Sequence, residues 1–164
     1  MKKRLSIIVI VIGMMMFSTT CFASMYDDLK NNPNYIYYGG GGTGISFFMD
    51  KSSLVVNKYE PPTYVIAFIK ITYSAGFPAG GYPEKITSGI TRYMYDYNSR
   101  KMYLERHNNG KAYWDYLNPL ELKGNSGGEA LLSGGEIAFY LAYNMSFYDE
   151  PISFVAKQYI NGHK

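Results

Sequence analysis

The stretch Tyr93–Tyr116 reads YMYDYNSRKMYLERHNNGKAYWDY, and its folding decides the architecture of the chain. Six of its 24 residues are tyrosine, and it holds the only tryptophan, Trp114. Two breaks divide it. Asn98-Ser99-Arg100 separates the segments Ile86–Tyr97 and Lys101–Arg106, and His107-Asn108-Asn109-Gly110 leads into Lys111–Tyr116. Asn-Gly is a strong hairpin signal because both residues tolerate positive φ. The spacing therefore predicts a three-stranded antiparallel meander. Alternate residues of a strand share a face, so Tyr93, Tyr95 and Tyr97 lie together, opposite Ile90 and Met94. Met102 and Leu104 likewise alternate with Tyr103 and Glu105. The expectation is an aliphatic face packed on the core and a tyrosine face turned outward.

The pattern extends upstream. Tyr26–Lys30 suggests one helical turn, ending at Asn31-Asn32-Pro33. Strands are predicted at Asn34–Tyr38 and Ile45–Met49, joined by the glycine run Gly39–Gly44 as a hairpin loop. Asp50–Ser53 looks like a turn before Leu54-Val55-Val56. Thr63–Tyr73, TYVIAFIKITY, is the longest β-rich run and suggests a central strand. Downstream the period changes. Ser133-Gly134-Gly135-Glu136 fits a capping box at a helix start, continued by Ile137, Tyr140, Leu141 and Asn144. A second helix is predicted from Pro151, with Ile152, Val155, Ala156, Tyr159 and Ile160 on one stripe. Strands first and helices last predict an α+β fold: an antiparallel β-meander sheet with C-terminal helices packed on one face.

The first 23 residues have the pattern of a secretory signal peptide: Lys2, Lys3 and Arg4, then the apolar run Ile7–Phe17, then Cys21-Phe22-Ala23 before the expected cleavage. The apolar run is shorter than the roughly 20 residues of a spanning helix. Ser18-Thr19-Thr20 lacks the small residue expected directly before a lipidated cysteine. The reading is an exported chain, periplasmic, cell-surface or secreted, with residues 24–164 forming a single α+β domain and no transmembrane segment left after cleavage. Loss of three of the 16 basic residues leaves 13, which balance the 13 acidic ones. Neutrality removes the electrostatic basis for nucleic-acid binding. The only cysteine, Cys21, falls within the signal, so the remainder rests on its packed core without a disulfide.

Catalytic and cofactor motifs find little support. Gly39, Gly41 and Gly44 match GxGxxG spacing, but a dinucleotide site needs the loop to open a helix, and Ile45–Met49 reads as a strand. His107 and His163 have no metal-ligand spacing. A triad of His107, Asp96 and a serine lacks a nucleophile elbow, and Glu105 with Asp115 is the nearest carboxylate pair for glycoside hydrolysis. The chain is expected to be non-enzymatic, with no cofactor and no metal. The tyrosine face has two readings: a contact surface of rigid aromatics with nearby donors, or an ordinary strand face that accepts tyrosine. On the first, the binding residues are Tyr93, Tyr95, Tyr97, Arg100, Tyr103 and Trp114.

Three motifs in order, Phe48-Met49-Asp50-Lys51-Ser52-Ser53-Leu54, then Tyr95-Asp96-Tyr97-Asn98-Ser99-Arg100-Lys101-Met102-Tyr103, then Asn109-Gly110-Lys111-Ala112-Tyr113-Trp114, resemble the surface-adhesin protein E-like family of small exported bacterial domains. Asn118-Pro119 and the helix begun at Ser133 fall where that family has a proline turn and a helix. The resemblance implies an antiparallel sheet with helix packed on it and, for the adhesin members, surface display and binding of host matrix proteins, often as dimers. The chain departs from the family in lacking its cysteine pair and a convincing lipidation context. No ligand-binding residue is carried over. The expected function is thus a protein- or matrix-binding envelope or surface domain, its partner an extracellular-matrix or envelope protein and a homodimer possible. The alternatives are a structural envelope component acting through homo-oligomerisation and a cell-wall polymer hydrolase.

Overall fold

The computed structural model describes residues 24–41, 44–76 and 83–163. The expected signal peptide lies outside them. Six strands follow one another in space as in sequence: β1 Tyr35–Gly41, β2 Ile45–Glu60, β3 Thr63–Ser74, β4 Lys85–Asp96, β5 Lys101–Asn108 and β6 Lys111–Tyr116. Every neighbouring pair is antiparallel. Helix α1 (Met25–Asn31) precedes the sheet, and α2 (Pro119–Leu122), α3 (Ser126–Tyr143) and α4 (Phe154–Asn161) follow it. The fold is α+β, an antiparallel meander with helices packed against it.

Local chemistry explains most of the elements. Asn109 and Gly110 have φ of 50° and 76°, the doubly positive turn that matches strand twist in a two-residue hairpin. Asp96 caps the β4–β5 turn: its Oδ1 accepts from the amides of Asn98 and Ser99 at 3.1 and 3.2 Å. The hydrogen bonding at Ser99 and Asn98 holds the Asp96 carboxyl below its ordinary range.

The predicted turn at Asp50–Ser53 is instead an irregularity inside the 16-residue β2, where the register with β3 shifts. Asp50 Oδ1 accepts from the Ser52 amide at 2.9 Å, as in a turn, but Ser53 Oγ accepts from the Ile69 amide at 2.7 Å. That cross-strand bond keeps the strand continuous, so the outcome is a bulge. Gly39, Gly40 and Gly41 are likewise strand residues, paired with Phe47, Ser46 and Ile45, so only the tip of the expected loop lies beyond the ladder.

Helix α3 begins at Ser126, seven residues before the expected Ser133 capping box. Its N-cap is Asn125, whose side chain accepts from the amides of Gly127 and Gly128. Ser133 and Glu136 are buried in mid-helix. Glu136 does cap a helix, but a different one: its carboxylate accepts from the amides of Ile152 and Ser153 at 2.6 and 3.0 Å, at the entrance to α4. That helix starts at Phe154, three residues after the expected Pro151.

The core lies between α3 and one face of the sheet, and this face is the tyrosine face. Tyr93 and Tyr95 are 1% and 0% exposed, in a cluster with Tyr38, Phe68, Met102, Ile137, Phe139 and Phe147. The outward orientation expected for these phenols is therefore overturned. Register explains it: Tyr93 pairs with Leu104 and Tyr95 with Met102, and directly opposed residues of an antiparallel pair share a face. The phase inferred for β5 holds; the phase inferred for β4 is inverted. Helix α3 fits over the rings because its mid-helix glycines leave room. A Cβ on Gly135 would come within 2.9 Å of the Tyr93 ring, and one on Gly134 within 2.8 Å of its oxygen.

Candidate functional site

The six residues nominated from sequence divide between the two sheet faces and a turn. Tyr93 and Tyr95 are core residues, and each satisfies its buried hydroxyl by donating to a carbonyl of α3: Tyr93 to Leu131 at 3.0 Å, Tyr95 to Gly135 at 2.8 Å. A helix carbonyl has a second lone pair to offer, so neither bond disrupts the helix. Burial pushes both phenols well above their ordinary range. Tyr97, half-buried, stacks on Phe139 at 6.0 Å, and the Arg100 guanidinium lies 3.8 Å from the Tyr97 ring centre. Arg100 also donates to the Phe147 carbonyl at 2.7 Å. It tethers the segment after α3 to the β4–β5 turn.

Tyr103 and Trp114 lie on the opposite, outer face. Tyr103 pairs with Tyr116 and Glu105 with Trp114 across β5 and β6, and the Tyr103 and Tyr116 rings are 5.5 Å apart. Beside them Arg92 of β4 meets Glu105 of β5 at 2.6 Å. The same face carries Ile69 of β3 and Ile90 of β4, directly paired, and Val55 of β2. Ile90 is 65% exposed and Trp114 37%. Val55, Ala67, Ile69 and Ile90 line a groove of about 280 Å³, with Arg92 at its rim.

Among the described residues, a helix covers only one end of this face. Helix α1 seats Leu29 on Phe48, Ile71 and Tyr73, with Tyr26 and Tyr35 packed around them. A Ser24 cap and two acidic residues in its first turn, Asp27 and Asp28, favour this helix locally. The rest of the outer face has no helix over it among the described residues. The sequence signal for this surface was present: Ile90 and Met94 alternate with the tyrosines, so the inverted phase puts both on the outer face, Ile90 exposed and Met94 half-buried. Arg92 and Glu105 become partners only through the β4–β5 register.

The catalytic groupings considered from sequence are separated. Glu105 and Asp115 project from opposite faces, and each is ion-paired, Glu105 with Arg92 at 2.6 Å and Asp115 with Arg106 at 3.3 Å. Asp96 and His107 sit at opposite ends of the β4–β5 hairpin. The glycine run enters a strand rather than a helix. Among the described residues no group of three or more His, Cys, Asp or Glu side chains is placed to hold a metal, and no helix is long and apolar enough to cross a membrane. No protein-family model, curated protein or solved structure matches the chain.

Proposed function

We propose that the chain is an exported, non-enzymatic bacterial envelope or surface protein that binds a protein partner, of the matrix or the envelope, through the open outer face of its sheet. The observation that carries this reading is the run of apolar and aromatic side chains across five strands: exposed Val55, Ile69, Ile90, Trp114 and Tyr116, with Tyr103 half-buried among them. Contiguous patches of this kind on soluble domains mark sites of association, and aromatic residues with arginine are enriched at the centres of protein interfaces. The Arg92–Glu105 pair adds a polar element that fixes orientation more than affinity. The leader-like first 23 residues support export. The resemblance to surface-adhesin protein E-like domains supports surface display and binding of host matrix proteins.

Surface plasmon resonance of the purified chain over matrix proteins and envelope extract tests the reading, against a variant carrying Ile90→Ser, Tyr103→Ser and Trp114→Ala. Saturable binding that falls at least about tenfold in the variant supports it; equal binding by both proteins refutes it. A second reading is homo-oligomerisation, favoured by the exposed edge of β6 and the open edge of β4 before Tyr93. Light scattering separates the two, since a monomer at high concentration removes the second.

A further inference from the structure

Strands β4 and β5 pair only over Tyr93–Asp96 and Lys101–Leu104. Before this stretch Lys85–Arg92 pair with β3 alone, and after it Glu105–Asn108 pair with β6 alone, so the sheet forks. Arg92 and Glu105 bridge the fork on the outer face. On the inner face it opens into a cleft of about 150 Å³ beneath Leu131 of α3, with Tyr38 and Tyr93 in its walls.

Lys70, Thr91 and Arg106 supply the polar lining. Arg106 donates to Asp115 through Nε at 3.3 Å, and a guanidinium has further N–H donors to offer. Lys70 is half-buried and has no ion-pairing carboxylate among the described residues, which include all 13 acidic residues of the sequence. Glu105 also borders the cleft, but its carboxylate is engaged by Arg92. Burial, and then the nearby Arg106 charge, hold the Lys70 amine below its ordinary value. Lys70 thus lacks both full hydration and a carboxylate partner, whereas Arg106 is 42% exposed and paired with Asp115; an anion between the two supplies the counter-charge that Lys70 lacks.

We propose that this cleft is an oxyanion site, taking a phosphate, sulfate or carboxylate group between Lys70 Nζ and the Arg106 guanidinium, with the Thr91 hydroxyl as a third donor. Charge-assisted hydrogen bonds from a lysine and an arginine to one oxyanion are the strong class of polar contact. The cleft faces α3, on the other side of the sheet from the surface proposed to bind protein, so each proposal stands without the other.

The test is an NMR titration of the folded chain with sodium phosphate, sodium sulfate and sodium acetate, each against sodium chloride at matched ionic strength. Saturable amide shifts centred on Lys70, Thr91 and Arg106 are expected, and the salt that saturates them at the lowest concentration identifies the preferred anion. Lys70→Met keeps the apolar stem, removes the charge and weakens binding at least about tenfold. Lys70→Arg, which keeps the charge, retains binding, as does Lys85→Met, an exposed cation outside the cleft. Shifts that fail to saturate, that chloride reproduces, or that survive Lys70→Met overturn the proposal.

Discussion

Tyr95 places its ring 5.0 Å from Phe139 and 5.1 Å from Phe147, with its hydroxyl bonded to the Gly135 carbonyl. A phenol suits this position because the ring fills core volume while its oxygen finds an acceptor on the helix. Tyr95→Phe keeps the packing and removes one buried hydrogen bond, a loss of about 1 kcal/mol. Tyr95→Ala also opens a cavity and costs about 3–5 kcal/mol. Urea denaturation of both variants checks the order; equal losses would show that the ring contributes nothing beyond its hydroxyl. Gly39 answers a different steric demand. Its φ is 146°, and a Cβ there would stand 2.5 Å from the Ala130 Cβ and 2.8 Å from the Ala130 Cα, where backbone cannot yield cheaply. Gly39→Ala is therefore expected to lower stability by about 2–3 kcal/mol. A sequence reading sees that the glycine run is unusual. It cannot see Ala130, some 90 residues away, which sets the requirement.

At the scale of elements, α4 is held by carboxylates from another helix. Its N-cap residue, Ser153, makes no capping hydrogen bond with its own side chain. Glu136 instead accepts from the Ile152 and Ser153 amides and from the Ser153 hydroxyl, while Glu129 accepts from the Phe154 amide at 3.0 Å. The two glutamates are seven residues apart, hence on one face of α3, and together they satisfy donors that a helix start leaves unpaired. Glu136→Gln presents an amide NH₂ where two oxygens accepted, so loss of α4 docking worth about 1–3 kcal/mol is expected, visible as faster hydrogen exchange over Phe154–Asn161.

The pH dependence of this contact has a definite sign. Burial outweighs the hydrogen bonds at Glu136 and raises its carboxyl above the ordinary 4.5. The folded protein thus binds this proton more tightly than the unfolded chain does. The associated stability is fully present below pH 4.5 and is lost as pH rises through the raised value. Wild type should accordingly gain on Glu136→Gln as pH falls from about 7 toward the ordinary carboxylate range, in paired denaturant titrations. A margin that narrows on acidification would contradict the account. Ser133-Gly134-Gly135-Glu136 matched a capping box residue by residue, yet all four residues became interior. The apolar pattern before them, Ala130-Leu131-Leu132, extends the helix, and a strong N-cap at Asn125 starts it earlier.

For the molecule as a whole, the sheet has two unlike sides. The side under α3 is closed by interlocking tyrosines and glycines; among the described residues, the other is closed at one end by α1 and open over β2 to β6. Trp114, the sole tryptophan, stands on the open side at 37% exposure and reports on it directly. Acrylamide should quench its fluorescence readily in the free protein, and a partner seated on the outer face should protect it. Ready quenching that a saturating partner leaves unchanged would place that partner elsewhere.

The sequence by itself determined the elements that local chemistry controls. Positive-φ residues at Asn109-Gly110, the Asp96 turn, strict alternation along Tyr93–Tyr97 and the late change to helical period gave the meander and its order with helix. These depend on neighbours within a few residues, so they can be read without the fold. Which side of the sheet faces inward was a tertiary decision. Alternation is symmetric, and tyrosine, with an apolar ring and a polar tip, is at home on either face. The choice fell to residues 38 to 40 positions away: the α3 backbone whose glycines leave room for Tyr93 and Tyr95 and whose carbonyls accept their hydroxyls. Burying the larger rings there, with their oxygens satisfied, left the smaller aliphatic side chains to face water.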